Sequence, residues 1–523
     1  MNYYMMKKLY FTALVLLAIN CGLSAQTPGT FNTNFSTNGW DTVFANNNGF
    51  DVFKLLIQSN GKILVCAEAN FSNEGHQAVV IRYNTDGTLD TEFGGGDGMV
   101  RSFNDYNIYM RGYSMALQND GKIIVAGDQF YNSERIIRLN QDGSLDSTFG
   151  ENGLSDFGRP NSEFIYHVGV QSDNKIIICG QESRLSNGSF QPHVFVWRLT
   201  ADGQLDETFG QAGIVSYINE EWQNVFESYL RINELIILPN DAMLINQSFA
   251  GQTNNFVVIR KLNADGSTDN SYGVNGNAIK SKIFNWGVYT YSNSALQEDG
   301  SVVSIITTRD TSNGKYSESI FRFNGQGVED PTLNFEFNGN NSFPSKFKVV
   351  VLGNKIYVFI KTSQESGFDK IYCFNLNGDL VSNFGTNGSA ELTQNGIPSS
   401  RNGAFEISNN GTLYASSSVI FSSQFLTTSI VGFPYESSVG IEMLVPNESF
   451  VVYPNPSSET IFIQESSTKL GRYLITNLQG RTVLQTNNSS NFSSIDILNL
   501  PNGVYFVRNI ITSAQSKFVV LHD

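Results

Sequence analysis

A pair of turn signals recurs seven times along this chain, at intervals of about 58 residues. One half of the unit is clearest at 138–153, RLNQDGSLDSTFGENG, and returns at 82–98, 198–213, 261–276 and, in worn form, 374–388. The other half is a hairpin signal: QSNGKILV (58–65), QNDGKIIV (118–125), QSDNKIII (171–178) and QEDGSVVS (297–304). Units this short cannot bury an apolar face alone and must stack on their neighbours. The period therefore overrides the three or four domains that 523 residues would otherwise suggest.

Each unit reads as four short strands, in the second full unit roughly 113–118, 122–127, 135–140 and 145–150. Asn119-Asp120-Gly121 joins the first pair and Gln141-Asp142-Gly143 the second. Asn-Gly and Asp-Gly supply the positive-φ residues that tight hairpins need. The segments between them are β-branched and aromatic, without a helical period. Four antiparallel strands repeated radially are the plan of a β-propeller.

Two series count the blades. The hairpin half occurs at seven places, the weaker ones being 238–245, 351–358 and 407–414. The Phe or Tyr that ends the other half falls at Phe35, Phe93, Phe149, Phe209, Tyr272, within 333–337, and at Phe384. The series are offset, since 31–40 (FNTNFSTNGW) has no preceding three strands and 405–433 has no fourth. A closed seven-bladed ring follows, in which an N-terminal strand, residues near 31–36, completes the last blade and leaves no open edge. On the pattern D-G-x-L-D-x-x-F-G at 86–94, 142–150 and 202–210, these units resemble the delta-60 repeat, a propeller-type repeat of bacterial surface proteins. The resemblance covers about 31–433, and the unit at 322–339 departs from it most.

The N-terminus places Lys7 and Lys8 before an apolar run from Leu9 to Ile19, with small residues leading to Ala25-Gln26. This is the pattern of a secretory signal peptide over 1–25, cleaved between Ala25 and Gln26 and too short to span a bilayer. Cys21 follows Asn20, a poor fit to a lipidation site. No other segment is long and apolar enough for a transmembrane helix. The formal net charge is −15, and losing a segment with two lysines and no acid makes the mature chain more acidic still. Nucleic acid is excluded as a partner on that charge. Cys66, Cys179 and Cys373 remain, an odd number at positions too far apart in stacked units for disulfides, and read as buried thiols.

After the body at 26–436 and a linker at 437–446, residues 447–523 change character. Alternating strands and Asn-Gly or Gln-Gly turns make a small immunoglobulin-like β-sandwich. Tyr453-Pro454-Asn455-Pro456, a turn at Gly480, and Leu500-Pro501-Asn502-Gly503-Val504-Tyr505 resemble the type A C-terminal sorting domain of the type IX secretion system. That resemblance implies a Bacteroidetes cell and passage across the outer membrane by the type IX machinery. It also implies removal of the tail, with the body linked to surface lipopolysaccharide or released.

Candidate chemistry is sparse. Asp86/Asp90, Asp142/Asp146 and Asp202/Asp206 pair at four-residue spacing, but lack the alternating ligands and distal Glu of a calcium loop. They read as an Asx turn followed by a strand cap. His76, His167, His193 and His522 fit no zinc spacing, and no nucleotide or hydrolase fingerprint occurs, so neither metal nor cofactor is implied. Glu220 and Glu221 are adjacent and would point to opposite faces of a strand.

The remaining asymmetry is in the connections. Two turns per unit are tight. The others, at 94–112, 150–164, 180–193, 210–228, 247–255, 273–290 and 307–318, are long and irregular and emerge together on the opposite face. Recognition usually sits on such loops. They carry aromatic residues suited to stacking on sugars or apolar protein patches, with Tyr109, Tyr166, Trp222 and Trp286 as candidate ligand contacts. The sequence thus points to a secreted or surface-attached binding or adhesion protein for glycan or protein. The alternative is a polysaccharide-degrading hydrolase or lyase in the propeller channel.

Overall fold

The computed structural model describes, in the body, residues 11–16, 41–46, 50–71, 75–101, 111–129, 133–155, 163–186, 189–217, 229–250, 254–283, 292–309, 316–337, 344–362, 369–392, 404–407, 412–421 and 425–434. In the tail it describes 450–453, 457–465, 472–477, 482–487, 492–509 and 515–522. The chain separates into two compact units, Met1–Glu436 and Ser437–Asp523.

All regular structure among the described residues is β. The first sheet holds β3 (Phe50–Ile57), β4 (Ile63–Phe71), β5 (Gly75–Tyr83) and β6 (Met99–Arg101). The second holds β7 (Arg111–Leu117), β8 (Ile123–Gln129), β9 (Ser133–Leu139) and β10 (Leu154–Ser155). The third has β11 (Glu163–Val170), β12 (Ile176–Ser186), β13 (Ser189–Leu199) and β14 (Ile214–Tyr217). The fourth has β15 (Tyr229–Ile237), β16 (Met243–Ala250), β17 (Asn254–Leu262) and β18 (Asn277–Ile283). The fifth is β19 (Ser292–Leu296), β20 (Val302–Arg309), β21 (Tyr316–Phe323) and β22 (Glu329–Phe337). The sixth is β23 (Pro344–Leu352), β24 (Lys355–Thr362), β25 (Asp369–Asn375) and β26 (Ser389–Leu392). A seventh sheet combines β27 (Phe405–Ile407), β28 (Thr412–Phe421) and β29 (Phe425–Pro434) with the N-terminal β1 (Phe11–Leu16) and β2 (Asp41–Asn46).

In the six regular sheets the strands run in chain order, antiparallel throughout. Their first strands pack side by side, β3 on β7, β7 on β11, and so on to β27, which returns to β3. A ring closed through seven inner strands is the consequence, and the chain is an all-β propeller.

The central strands explain why the sequence is apolar without alternation there. In β4, Ile63, Val65 and Ala67 pack with Ala404 and Tyr414 of the seventh sheet. The intervening Leu64 and Cys66 pack with Met115, Ile123 and Val125 of the second. Successive strand residues point to opposite faces, and both faces are covered. All five of these β4 residues are fully buried, each contributing about 1.5–3 kcal/mol for the larger side chains. The cysteines are part of this packing: Cys66, Cys179 and Cys373 are free and buried, and burial pushes the Cys66 thiol up to about 12.

Two expectations change. Within 180–193, residues 180–186 and 189–193 are not an irregular loop but paired strand, the ladder running from Ile176↔Leu199 to Ser186↔Ser189. The β16–β17 pair likewise extends to Ala250↔Asn255. These connections look irregular in sequence because polar residues such as Glu182, Gln191, Asn254 and Asn255 interrupt the paired segments. The unit at 322–339 keeps its fourth strand, β22, after a register shift between Phe321 and Arg322. Residues 31–36 lie outside the described residues, and the N-terminal strands seen in the seventh sheet are 11–16 and 41–46.

The tail has two antiparallel sheets. One orders β30 (Phe450–Tyr453), β31 (Thr460–Glu465) and β34 (Phe492–Asp496). The other orders β33 (Thr482–Asn487), β32 (Arg472–Asn477), β35 (Gly503–Asn509) and β36 (Gln515–Val520). Ile461, Ile463 and Ile495 of the first share one core with Tyr473, Val507 and Phe518 of the second, which makes a small sandwich.

Candidate functional site

The repeated D-G-x-L-D-x-x-F-G segment is a bolt between neighbouring sheets. Its first aspartate does form the expected turn: Asp142 Oδ1 accepts from the Ser144 backbone N–H at 2.9 Å and from the Ser144 hydroxyl at 2.6 Å. The second aspartate does more than cap. Asp146 accepts from Thr148 N–H and also receives Arg138 Nε at 2.7 Å and Lys122 Nζ at 2.8 Å. Burial would raise this carboxyl, but Lys122, Thr148 and Arg138 outweigh it and hold it well below the usual range.

The arginine then leaves its own sheet. Arg138 Nη1 donates to the Ala201 carbonyl at 2.5 Å, and Arg198 Nη1 to the Ala264 carbonyl at 2.7 Å. Arg82 does the same to Gln141. The hairpin glutamine joins in, Gln118 Nε2 donating to Asn174 O at 2.9 Å and Gln171 Nε2 to Asp241 O at 2.8 Å. Finally the aromatic closes the contact. Arg82, Arg138 and Arg198 lie over Phe93, Phe149 and Phe209 at 4.4, 4.7 and 4.8 Å from the ring centroids. Those rings press on Gly143, Gly203 and Gly266 of the next unit. Phe335 plays this part in the fifth sheet, resting on Gly378. The acids are therefore structural, and the short-turn end of the ring is a rigid frame.

The second cluster lies inside the ring. Lys54, Ser114, His167, Glu234, Asn293 and Lys348 come from six different inner strands, each four residues before the start of its hairpin turn. In β3, β7, β11 and β15 a bulge falls immediately before this position, the device by which a strand re-aims one side chain. Glu234 Oε2 accepts from Lys348 Nζ at 2.7 Å and from Asn293 Nδ2 at 2.6 Å, and Lys54 Nζ stands 3.7 Å from Oε1. Neighbouring inner strands are tied at the same level, Val168 N–H donating to Ser114 Oγ and Val349 N–H to Asn293 Oδ1.

Lys54, Glu234 and Lys348 belong to the first, fourth and sixth sheets, which are not neighbours. One carboxylate thus joins three walls across the axis. Burial would raise the Glu234 carboxyl, but Lys348, Lys54 and His167 hold it far below the usual range. Burial works against the Lys348 ammonium, and Glu234 and Glu406 overcome it and raise its pKa. His167 is pushed down to about 4, chiefly by burial, and is neutral at ordinary pH. Sequence reading missed this cluster because its members differ in every unit, although their constant offset from the hairpin was a usable signal.

The candidate ligand residues fare unevenly. Tyr109, Trp222 and Trp286 lie outside the described residues. Tyr166 is not on a loop but in β11, packed against the core between the third and fourth sheets; it lies two residues past the end of the connection at 150–164. In the tail, Tyr453 ends β30 and Gly503 begins β35. Tyr505 stacks on Phe518 with ring centroids 5.8 Å apart and donates its hydroxyl to the Pro501 carbonyl at 2.8 Å. Pro454, Asn455, Pro456, Gly480, Ala25 and Gln26 lie outside the described residues. No group of metal-binding side chains occurs among the described residues, and no described helix is long and apolar enough to cross a membrane.

Comparison with known families settles the two parts separately. Residues 58–93, 118–149 and 171–209 match the family described as a β-propeller domain of unknown function, DUF5122, and 451–520 match the secretion system C-terminal sorting domain. The chain is a propeller protein that carries DUF5122 repeats over these segments and ends in a type IX sorting tail. Each matched body segment runs from the hairpin glutamine to the bolting phenylalanine. A sorting tail of this kind marks the chain for export to the outer surface or beyond.

No curated protein matches the chain. Among solved structures it resembles PorZ of Porphyromonas gingivalis, a surface component of the type IX secretion system. The identity is 14% and the TM-score 0.39, over 92% of this chain and 62% of PorZ. The propeller domain of the Trilobed protease from Pyrococcus furiosus matches at 10% identity and TM-score 0.38, over 74% of this chain and 94% of that one. A leech intramolecular trans-sialidase matches at 9% identity and TM-score 0.37, over 74% of this chain and 68% of that one. Similarity at this level carries no functional argument. The chain spans about 62% of the length of PorZ.

Proposed function

We propose that this is a secreted or surface-attached binding protein that takes glycan or protein on the face carrying its irregular connections, after export through the type IX machinery and linkage to surface lipopolysaccharide or release. The bolted short-turn end carries this reading. Arg82, Arg138 and Arg198 fix the short-turn ends of the first three sheets to the sheets that follow them, which leaves sequence variation free to accumulate at the other end.

The rival, a polysaccharide-acting hydrolase or lyase in the channel, would meet Glu234 in the axial cluster. That carboxylate is already held by two lysines and an asparagine. Glycoside hydrolysis ordinarily takes two carboxyl groups in distinct protonation states about 5–10 Å apart.

Screening the exported protein against a glycan array and following any hit with Trp222→Ala, Trp286→Ala and Glu234→Gln separates the two. Loss of binding in the tryptophan variants with Glu234→Gln unaffected supports the loop face. Turnover of a bound sugar, abolished by Glu234→Gln, would move the site into the channel.

A further inference from the structure

The seventh sheet has five strands, in the order β2-β1-β29-β28-β27, where the other six have four. The extra strand is β1, Phe11–Leu16, which lies inside the apolar run of the segment read above as a signal peptide. It runs parallel to β29 and antiparallel to β2. In every regular sheet the fourth strand instead pairs antiparallel with the third.

The repeat identifies which segment that fourth strand should be. In four units the residue after a Phe/Tyr-x-x-x-Gly begins it: Phe149–Gly153, Phe209–Gly213, Tyr272–Gly276 and Phe384–Gly388 precede β10, β14, β18 and β26. Phe35 and Gly39 have the same spacing, and β2 starts at Asp41. We infer that once residues 1–25 are removed, Asp41–Asn46 becomes the fourth strand of the seventh sheet, paired directly with β29 in the place that β1 occupies in the full chain. The inference rests on the signal-peptide reading of 1–25.

Two routes to the register agree. In the third sheet Ile176 pairs with Leu199 and Phe195 with Ser216. Leu413 and Phe433 are the equivalents of the first pair, since both Ile176 and Leu413 follow the hairpin turn by the same step. Counting from Phe433 and from Gly39 then places Ser429 opposite Thr42 and Thr428 opposite Val43. Independently, Val15 of β1 stands opposite both Thr42 and Ser429, and Leu14 opposite both Val43 and Thr428. Removing β1 and moving β2 inward by one strand spacing, about 4.8 Å, gives those same pairs with no slide along the strand. A one-residue slip would have turned every side chain of β2 to the other face. The mature ring is thereby closed by backbone pairing between its two ends, with four strands in each of the seven sheets.

The test compares the full chain begun at residue 1, with Cys21→Ser, and the chain begun at residue 26, each carrying Thr42→Cys and Ser429→Cys under mild oxidation. The three cysteines that remain after residue 25 are buried. Directly paired residues lie within disulfide reach, while residues separated by an intervening strand are about 10 Å apart and are not. A 42–429 bridge is expected in the shorter chain and not in the longer, and Thr42→Cys with Ile430→Cys should bridge in neither. Where the cysteines impair folding, hydrogen exchange on chains without them answers the same question. Outer-edge amides of 428–431 should be protected in the chain begun at 26 and lose protection in a chain begun at 47. Equal bridging in both chains, or no protection of 428–431 in the chain begun at 26, overturns the inference. The N-terminal mass of the exported protein tests the signal reading separately. Retention of 11–16 would refute that reading, while the bridge in the chain begun at 26 still reports on the exchange.

Discussion

Arg138 binds its own sheet and the next one at once, its Nε 2.7 Å from Asp146 Oδ2 and its Nη1 2.5 Å from the carbonyl oxygen of Ala201. Both charged residues are almost fully buried. Removing one partner of such a pair strands the other without compensation, at a cost of about 3–5 kcal/mol. Arg138→Met should therefore lower the unfolding free energy of the body, measured by denaturant titration, by that amount. Asp142→Ala, which removes only an exposed Asx turn, should cost about 1 kcal/mol. Equal losses would show that Arg138 does not bolt the sheets.

Acid should act on the body in two stages. His167 has a folded pKa of about 4 against an unfolded value of about 6.5. As pH falls the unfolded chain takes the proton first, so stability declines from about pH 6.5 down to about pH 4. Asp90, Asp146 and Asp206 also have lowered pKa values. Burial opposes that lowering in each, and the cations and hydrogen bonds around them exceed it. Their contribution is complete above the unfolded aspartate value of about 3.9 and is lost as pH drops through the folded values. Urea midpoints measured from pH 8 to pH 3 should show both stages. His167→Gln should flatten the first and leave the second.

The bolt and the axial cluster differ in how far the sequence disclosed them. Asp86, Asp142 and Asp202 announced turns because Asx chemistry is local, and a reader of the sequence alone can place it. The partners of Asp146 were hidden, since Arg138 stands eight residues away and Ala201 belongs to another unit. The ring itself was legible from the offset between the hairpin series and the aromatic series. Glu234 was not, because the residue four places before the hairpin differs in type from unit to unit, and only the closed ring brings Lys54 and Lys348 to it across the axis. Tyr166 was misplaced for a related reason: where a strand begins is set by its pairing partner, here Glu163 opposite Glu182, and the residues before the hairpin carry no local signal of that start.

The tail and body should respond independently to substitution, since they are separate compact units. Tyr505 donates its hydroxyl to Pro501 and buries its ring against Phe518. Tyr505→Phe removes one hydrogen bond, about 1 kcal/mol. Tyr505→Ala also empties the core, about 3–5 kcal/mol. Calorimetry of the full chain should show the tail transition falling in that order with the body transition fixed. Export should fail in the alanine variant, and deleting 447–523 should trap the protein in the periplasm. Surface display surviving that deletion would refute the sorting role.

Gly143 and Gly95 separate backbone strain from close packing. Their φ angles are nearly the same, 88° and 87°, in the left-handed region where a side chain costs about 1–2 kcal/mol. An added Cβ at Gly95 meets nothing within 4 Å. At Gly143 it would lie 2.8 Å from the Phe93 ring and 2.9 Å from the Gly94 backbone nitrogen, both on the preceding sheet. Gly94 N–H already donates to the Asp142 carbonyl at 3.0 Å, so neither neighbour can retreat without loosening the bolt. Gly95→Ala should lower stability by the strain alone. Gly143→Ala should cost at least twice as much and raise hydrogen exchange at the Gly94 amide. Equal effects of the two substitutions would mean that the first and second sheets are not held in tight contact at this point.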